Sequence, residues 1–471
     1  MENISPSIRE SMASQLADKQ LFDQARSYAY AYIDAIDKRP VFPDPDVIAK
    51  LTAFDEPIPQ GPQSAAETLH LLDSLGSPAT VTQVGGRYFG FVVGGALPVA
   101  QAAHWLSDVW NQNPGLYVIS PTVAKLEQVC EKWLREVLNL PSGTVAGVVS
   151  GTSIATLCGL AAGRYKLLKD LGWDVNADGL FGAPPIRVVV SEQAHGTVFK
   201  ALALLGLGNK RVELIPADSQ GRMDAAALPA LDSSTLVILQ AGNVNSGSFD
   251  DFEHICDLAK TAGAWVHIDG AFGLWAAASS KKCHLTEGIE KANSWSVDGH
   301  KTLNTTYDCG IVLCKDREAM VASMQNLGAY IQYSENRDNM LYTPEMSRRA
   351  RAVELWATLR FLGRSGIAEL VDGLCERATQ FASLLSANGF QVLNQVVFNQ
   401  VLVACESPEE TKATLTGIQA SGECWCGSTT WHDQPAIRIS VCSWATTSED
   451  VERSVQAFIQ ARAAAKNGAT H

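Results

Sequence analysis

From Gly147 onward, short β-branched runs alternate with stretches of helical periodicity, and that alternation leaves few architectures open. VAGVVS is followed by IATLCGLAAGRYKLLKDL, RVVV by TVFKALALLG, and TLVILQ by FEHICDLAKTAG, after which comes WVHID. Strand and helix taking turns in this way predicts a mainly parallel sheet with crossover helices, an α/β domain. In such sheets ligands sit outside the carboxyl ends of the strands, so the residues just past each run carry the functional information. Here those residues are unusually polar.

The chain has 471 residues, of which 46% are hydrophobic, and it exceeds the size at which one core stops growing, roughly 250–300 residues. Three parts are expected: an N-terminal helical arm over 1–75, a large α/β domain over 76–360 and a small α+β domain over 361–471. The arm is amphipathic from Arg9 to about Leu75, with proline-rich connectors at Pro40 to Pro45 and Pro57 to Pro62. The tail mixes GFQVLNQ, VFNQVLVA, a helix and AIRISVCSW.

A net charge of −13 argues against nucleic acid and anionic membranes, both of which want clustered Lys and Arg. Met1 to Gln20 lacks an apolar signal core, and the apolar stretch Tyr88 to Leu106 is interrupted by Gly90, Gly94, Gly95, Pro98 and His104. A cytoplasmic protein is expected. The eleven cysteines are scattered with no CxxC pair, so they read as reduced thiols, and no metal site is expected.

Four places just past strand-like runs hold chemistry. Lys301, in WSVDGHKTLN, follows a strand and a histidine in a largely uncharged setting; partial burial beside another cation would lower its pKa and suit it to imine formation. A surface lysine at a strand end is the alternative. Asp269 ends the buried run WVHID, where an unpaired carboxylate is costly and a cationic partner is needed, unless it caps a helix. Ser150-Gly151-Thr152-Ser153 stands between strand and helix and offers hydroxyls and amides to a phosphate, although such residues also begin ordinary helices. His195 follows RVVV and could stack on an aromatic ring or be a half-buried structural histidine. A phosphate turn, a stacking histidine, an aspartate for a pyridinium and an imine lysine together point to pyridoxal 5'-phosphate.

These residues resemble the group II pyridoxal-phosphate-dependent amino acid decarboxylases of fold-type I, which include the glutamate and aromatic-amino-acid enzymes. The resemblance runs from about Tyr88 to Thr447 and is carried by SEQAH195, HIDGA271, DGHK301, YDC309 and SRR349. It implies that Lys301 forms the imine, Asp269 pairs with the pyridinium, His195 stacks and Ala271 packs under the ring. Thr152, Ser153 and His300 would hold the phosphate. Tyr330 matches a tyrosine on a mobile loop that protonates the α-carbon after CO2 leaves, or else is a core aromatic. Arg438 matches an arginine that approaches the substrate carboxylate, or else makes a structural ion pair. A homodimer with the active site at the interface is implied as well.

The expected reaction is decarboxylation of an L-amino acid to the amine. The alternatives are an aminotransferase, aldolase or oxidative deaminase outcome, or a homologue that binds the cofactor without turnover. Two departures lie beside the cofactor: Thr302 replaces the usual Trp, and Gly242-Asn-Val-Asn245 replaces Gly-Thr-Thr. Val92, Val93 and Gly94 are placed near the pocket mouth, with Val93 a substrate contact. They bring no charge, which favours an apolar or aromatic substrate.

Overall fold

The computed structural model describes residues 7–325 and 333–468. The arm opens with α1 (Ile8–Asp18), begun by a capping box in which Ser7 and Glu10 satisfy each other's backbone N–H groups. Helix α2 (Gln20–Ala35) follows, and neither helix has a buried residue. The arm meets the rest of the chain at α3 (Pro98–Trp110), where Tyr30 stacks on Trp105 with ring centroids 6.2 Å apart.

Among the described residues, seven strands form the larger sheet. They are β1 (Val145–Val149), β2 (Arg187–Ser191), β3 (Val212–Ile215), β4 (Thr235–Gln240), β5 (Trp265–Asp269), β6 (Ser294–Asp298) and β7 (Gly310–Cys314). Their order is β1-β7-β6-β5-β4-β2-β3. Strands β3, β2, β4, β5 and β6 pair in parallel, while β7 runs antiparallel to both β1 and β6.

The runs are apolar throughout because both faces of the sheet are covered. Leu236 and Ile238 of β4 join Ala155 and Ala161 of α4 (Thr152–Asp170) and Val198 and Leu202 of α5 (Gly196–Leu204) on one side. Val237 and Leu239 join Phe252 and Ile255 of α6 (Phe252–Ala262) on the other. Each such side chain is worth about 1.5–3 kcal/mol when fully buried, so truncating a central one, Leu239→Ala for example, costs roughly 2–5 kcal/mol.

Helix α7 (Ala352–Ala387) spans two cores and breaks at Gly363, whose φ of 59° leaves the helical region. Leu355 and Leu359 before the break pack under the large sheet, and Phe381 and Leu385 after it pack in the carboxyl-terminal part. There β8 (Gln391–Val392), β9 (Gln400–Ala404), β10 (Gly427–Trp431) and β11 (Gln434–Ser440) form an antiparallel sheet in the order β10-β11-β9-β8. Helices α8 (Pro408–Ser421) and α9 (Ser448–Gly468) cover it, with Ile418 and Phe458 against Val401, Val403, Ile437 and Ile439. All eleven cysteines are free, and no described helix is long and apolar enough to cross a membrane.

Candidate active site

The carboxyl ends of β1, β4, β5 and β6, together with the turn after β2, enclose a cavity of about 350 Å³. Thr152, Ser153, His195, Asp269, Ala271, His300 and Lys301 all line it. Residues spread over 150 positions are thus brought to one place by the rule that parallel strands deliver their ends to the same edge.

Past β1 the chain turns through Ser150 and Gly151 into α4. Gly151 occupies the N-cap and has no side chain to satisfy the first turn. The Thr152 N–H donates instead to Asp298 Oδ1 at 2.7 Å. The Thr152 hydroxyl is buried with no partner, and an unspent polar group at a helix N-terminus is what an arriving anion can use. His300 closes the other side. Its Nδ1 accepts from the Cys309 N–H at 3.0 Å, so in the neutral ring the proton sits on Nε2, 3.6 Å from Asp298 Oδ2. Tyr307 stacks on the His300 ring at 4.3 Å, and Asp308 is held by Arg351 at 2.8 Å and Arg349 at 3.4 Å.

Asp269 stands at the end of β5, buried, and accepts the Ala271 N–H at 3.2 Å. Among the described residues it forms no ion pair within 4.0 Å. Burial therefore pushes its pKa above the ordinary value, with His195 and Lys301 pulling it back. His195 is the N-cap of α5, its Nδ1 accepting the Thr197 N–H at 3.3 Å, which leaves Nε2 to carry the proton. Its ring is exposed to the cavity, yet the surrounding protein desolvates it and holds its pKa below the ordinary value, against the pull of Asp269.

Lys301 departs from expectation. Burial is the largest single influence and pulls its pKa down, but Asp298, whose Oδ2 lies 2.9 Å from Nζ, and Asp269 together push it up, and the net shift is upward. The neighbour that decides its protonation is an anion, not the cation inferred from sequence. Asp298, Gln240 and Phe91 line the cavity and were not singled out as site residues from the sequence, whereas Val92, placed near the mouth from the sequence, lines it too. Asp298 stood in plain view inside DGHK301, three residues before the lysine.

Val93 is not among the lining residues; the mouth is formed by Phe91 and Val92. Both have positive φ, 53° and 57°, so the chain twists there and side chains do not alternate as in a strand. The Phe91 ring stacks on Trp425 at 5.5 Å. Arg438, on β11, is not among the lining residues of the cavity but contacts Val244, which is. It donates to the Val244 carbonyl at 3.4 Å, its Nε is buried without a partner, and among the described residues it forms no ion pair. Burial holds its pKa below the ordinary value. Tyr330 lies outside the described residues.

The two departures have local structural roles. Thr302 donates its hydroxyl to the Phe272 carbonyl at 2.8 Å, fastening the lysine loop to the segment after β5. Asn243 Oδ1 accepts the N–H of Asn245 at 2.9 Å, a turn that puts Val244 on the cavity wall.

The partnerless Thr152 hydroxyl at α4, an unpaired buried carboxylate on β5 and the half-buried Lys301 amine in the same cavity fit a small ring that carries a phosphate at one end and a basic nitrogen at the other. The comparisons agree. The aromatic-L-amino-acid decarboxylase of Rattus norvegicus is 25% identical over 452 residues, 90% of this chain and 93% of the relative. That of Bacillus atrophaeus is 26% identical over 458 residues, covering 92% and 93%. The crystal structure of Oryza sativa TDC with PLP and tryptamine superposes with a TM-score of 0.87 at 20% identity over 98% of this chain and 99% of the other, which gives the fold-type I architecture. The pyridoxal-dependent decarboxylase conserved domain matches residues 81–404, well over half the chain. This protein therefore belongs to the pyridoxal-dependent decarboxylases, carboxy-lyases that work with pyridoxal 5'-phosphate.

Proposed function

We propose that this chain removes the carboxylate of an L-amino acid as CO2 and leaves the amine, with Lys301 holding the cofactor through its ε-amine. The observation that carries the reading is a pair of unmatched charges beside one cavity: the buried Asp269 carboxylate and the Arg438 guanidinium, neither in an ion pair among the described residues. Such groups are expensive unless a ligand completes them.

When bound, pyridoxal phosphate supplies an aldehyde for an amine and a ring that accepts the electron pair of the breaking bond. Asp269 suits the ring nitrogen, where a carboxylate keeps a proton in place. Thr152, Ser153 and His300 suit the phosphate, through the free hydroxyl, the first turn of α4 and the His300 Nε2–H. His195 presents a ring face to the cavity from one side, and Ala271 is small enough to let a ring lie on the other. Lys301 yields its place to the substrate amine and stays within the site as a proton carrier.

Arg438 offers a guanidinium to the substrate carboxylate, a planar match for two oxygens. Phe91 and Val92 bring no charge to the mouth, which favours an apolar or aromatic side chain. The rat and Bacillus relatives are aromatic-amino-acid decarboxylases, in line with that preference. Tyr330 keeps its role in the reading as the group that returns a proton to the α-carbon while the site excludes water.

Screening the twenty amino acids for CO2 release with added cofactor tests the reading. An aromatic amino acid is expected to give CO2 and its amine in equal amounts, and Lys301→Ala to give neither. A keto acid or aldehyde as main product, or turnover by Lys301→Ala, overturns it.

A further inference from the structure

Asp298 has two tasks that conflict once an anion arrives. Oδ1 takes the Thr152 N–H at 2.7 Å, at the turn where the partnerless Thr152 hydroxyl awaits a phosphate, and Oδ2 takes the Lys301 ammonium at 2.9 Å. The carboxylate is 2% exposed, so water does not screen it. A phosphate entering this turn competes for the same N–H and sets a second negative charge beside the first. The lysine, for its part, cannot attack an aldehyde while it is an ammonium.

We propose that Asp298 is the positioning residue that frees the Lys301 amine: when the cofactor's phosphate reaches the first turn of α4, the proton shared by the pair passes from Nζ to the Asp298 carboxylate. The inference rests on the reading of Lys301 given above. One transfer resolves both conflicts. It neutralises the carboxylate next to the phosphate, and it leaves Nζ with a lone pair. That nitrogen then adds to the aldehyde carbon, a C=N bond forms, and the aldehyde oxygen departs as water with the two amine protons.

The groups facing Asp298 allow this. His300 stands at 3.6 Å, and burial holds it toward its neutral form. Asp269 and His195 act from further off, and Tyr307, Cys309 and Cys442 are pushed up by burial and remain uncharged. Lys301 is thus the nearest proton donor to this carboxylate among them.

Cofactor-free protein and its Asp298→Asn variant are mixed with pyridoxal phosphate, and the rise of visible absorbance is timed across roughly pH 7 to 9, a window between the reference pKa values of a carboxyl, about 3.9, and a lysine amine, about 10.4. In the wild type one proton is shared within the pair, so the fraction with a free amine does not change with pH. In the variant the proton must leave to solvent, and the ratio of variant rate to wild-type rate rises about tenfold per pH unit below the amine's pKa. A ratio constant with pH overturns the proposal. No absorbance in the wild type at any pH would instead remove the reading of Lys301, so the two failures are distinguishable.

If the variant does not fold, the wild type decides by difference infrared spectroscopy with 4'-deoxypyridoxine phosphate, which has the ring and phosphate but no aldehyde. Binding is expected to produce a protonated-carboxyl band that is missing in Lys301→Ala. Binding without that band overturns the proposal.

Discussion

Gly94 lies flat against the backbone of Lys301, so closely that a Cβ added to it would overlap the carbonyl oxygens of Lys301 and His300. The lysine loop therefore cannot shift outward without moving the segment that also carries Phe91 and Val92. Gly94→Ala forces that movement. It is expected to cost about 1–3 kcal/mol of stability, the usual range for overpacking, and to weaken cofactor binding, as read by thermal unfolding and by absorbance titration.

Asp269→Asn keeps the shape of the site and removes the charge. Cofactor absorbance should persist while kcat falls by about 10²–10³-fold, the scale of losing one preorganised electrostatic contact. The cofactor-free protein should respond in the opposite sense. Because burial raises the native pKa of Asp269, its contribution to stability is present below the unfolded carboxyl's pKa and is lost as pH rises through the native one. The variant should thus be the more stable apo-protein at neutral pH, with the gap closing in acid, measured by urea unfolding.

Arg438→Lys replaces a planar fork with a point charge. If Arg438 holds the substrate carboxylate, kcat/KM should fall by about 10- to 100-fold, in keeping with a charged hydrogen bond worth 1.5–3 kcal/mol. Cofactor affinity should be unchanged. A change in cofactor affinity without a change in KM would assign the residue to the fold.

His267 is fully buried on β5 and hydrogen-bonded through Nδ1 to the Ser294 hydroxyl at 2.9 Å. Burial pushes its pKa down from 6.5 to about 3. A depressed native pKa means stability that is present above the unfolded value and lost as pH falls. Between pH 6.5 and about 3 the unfolded chain takes up a proton that the native chain refuses. Stability should therefore drop by up to about 1.4 kcal/mol per pH unit from this residue alone. His267→Gln should lose that share of the slope in urea midpoints measured at pH 7, 5 and 4.

Ile8, Met12 and Leu16 form a stripe on α1 and are 58%, 56% and 66% exposed. An apolar stripe at helical spacing, uncovered among the described residues, fits the homodimer that the family resemblance implies. Sedimentation should give twice the chain mass, and Met12→Glu combined with Leu16→Glu should shift it toward the monomer.

The site was legible to the extent that polar residues ending apolar runs announce themselves: Asp269 after WVHI and Lys301 after SWSVDGH have no reason to be there in a plain core. Strand direction was less legible. GIVLC at β7 has the same composition whether it runs parallel or antiparallel, and only its pairing with both β1 and β6 fixes it. The short β3 and β10 carry too little pattern to be marked. The role of Asp298 depends on a contact across 146 positions, from Thr152 to the residue before Gly299, and such a contact has no local trace. Phe91 and not Val93 stands beside Val92 on the wall because two successive positive φ angles turn the chain, a conformation that β-branched residues rarely announce.

Reduction of the cofactor-loaded protein with borohydride, followed by peptide mass spectrometry, addresses the central claim most directly. The phosphopyridoxyl group is expected on the peptide containing Lys301 and on no other. A label on a different lysine, or loaded protein that yields no label, would contradict the account.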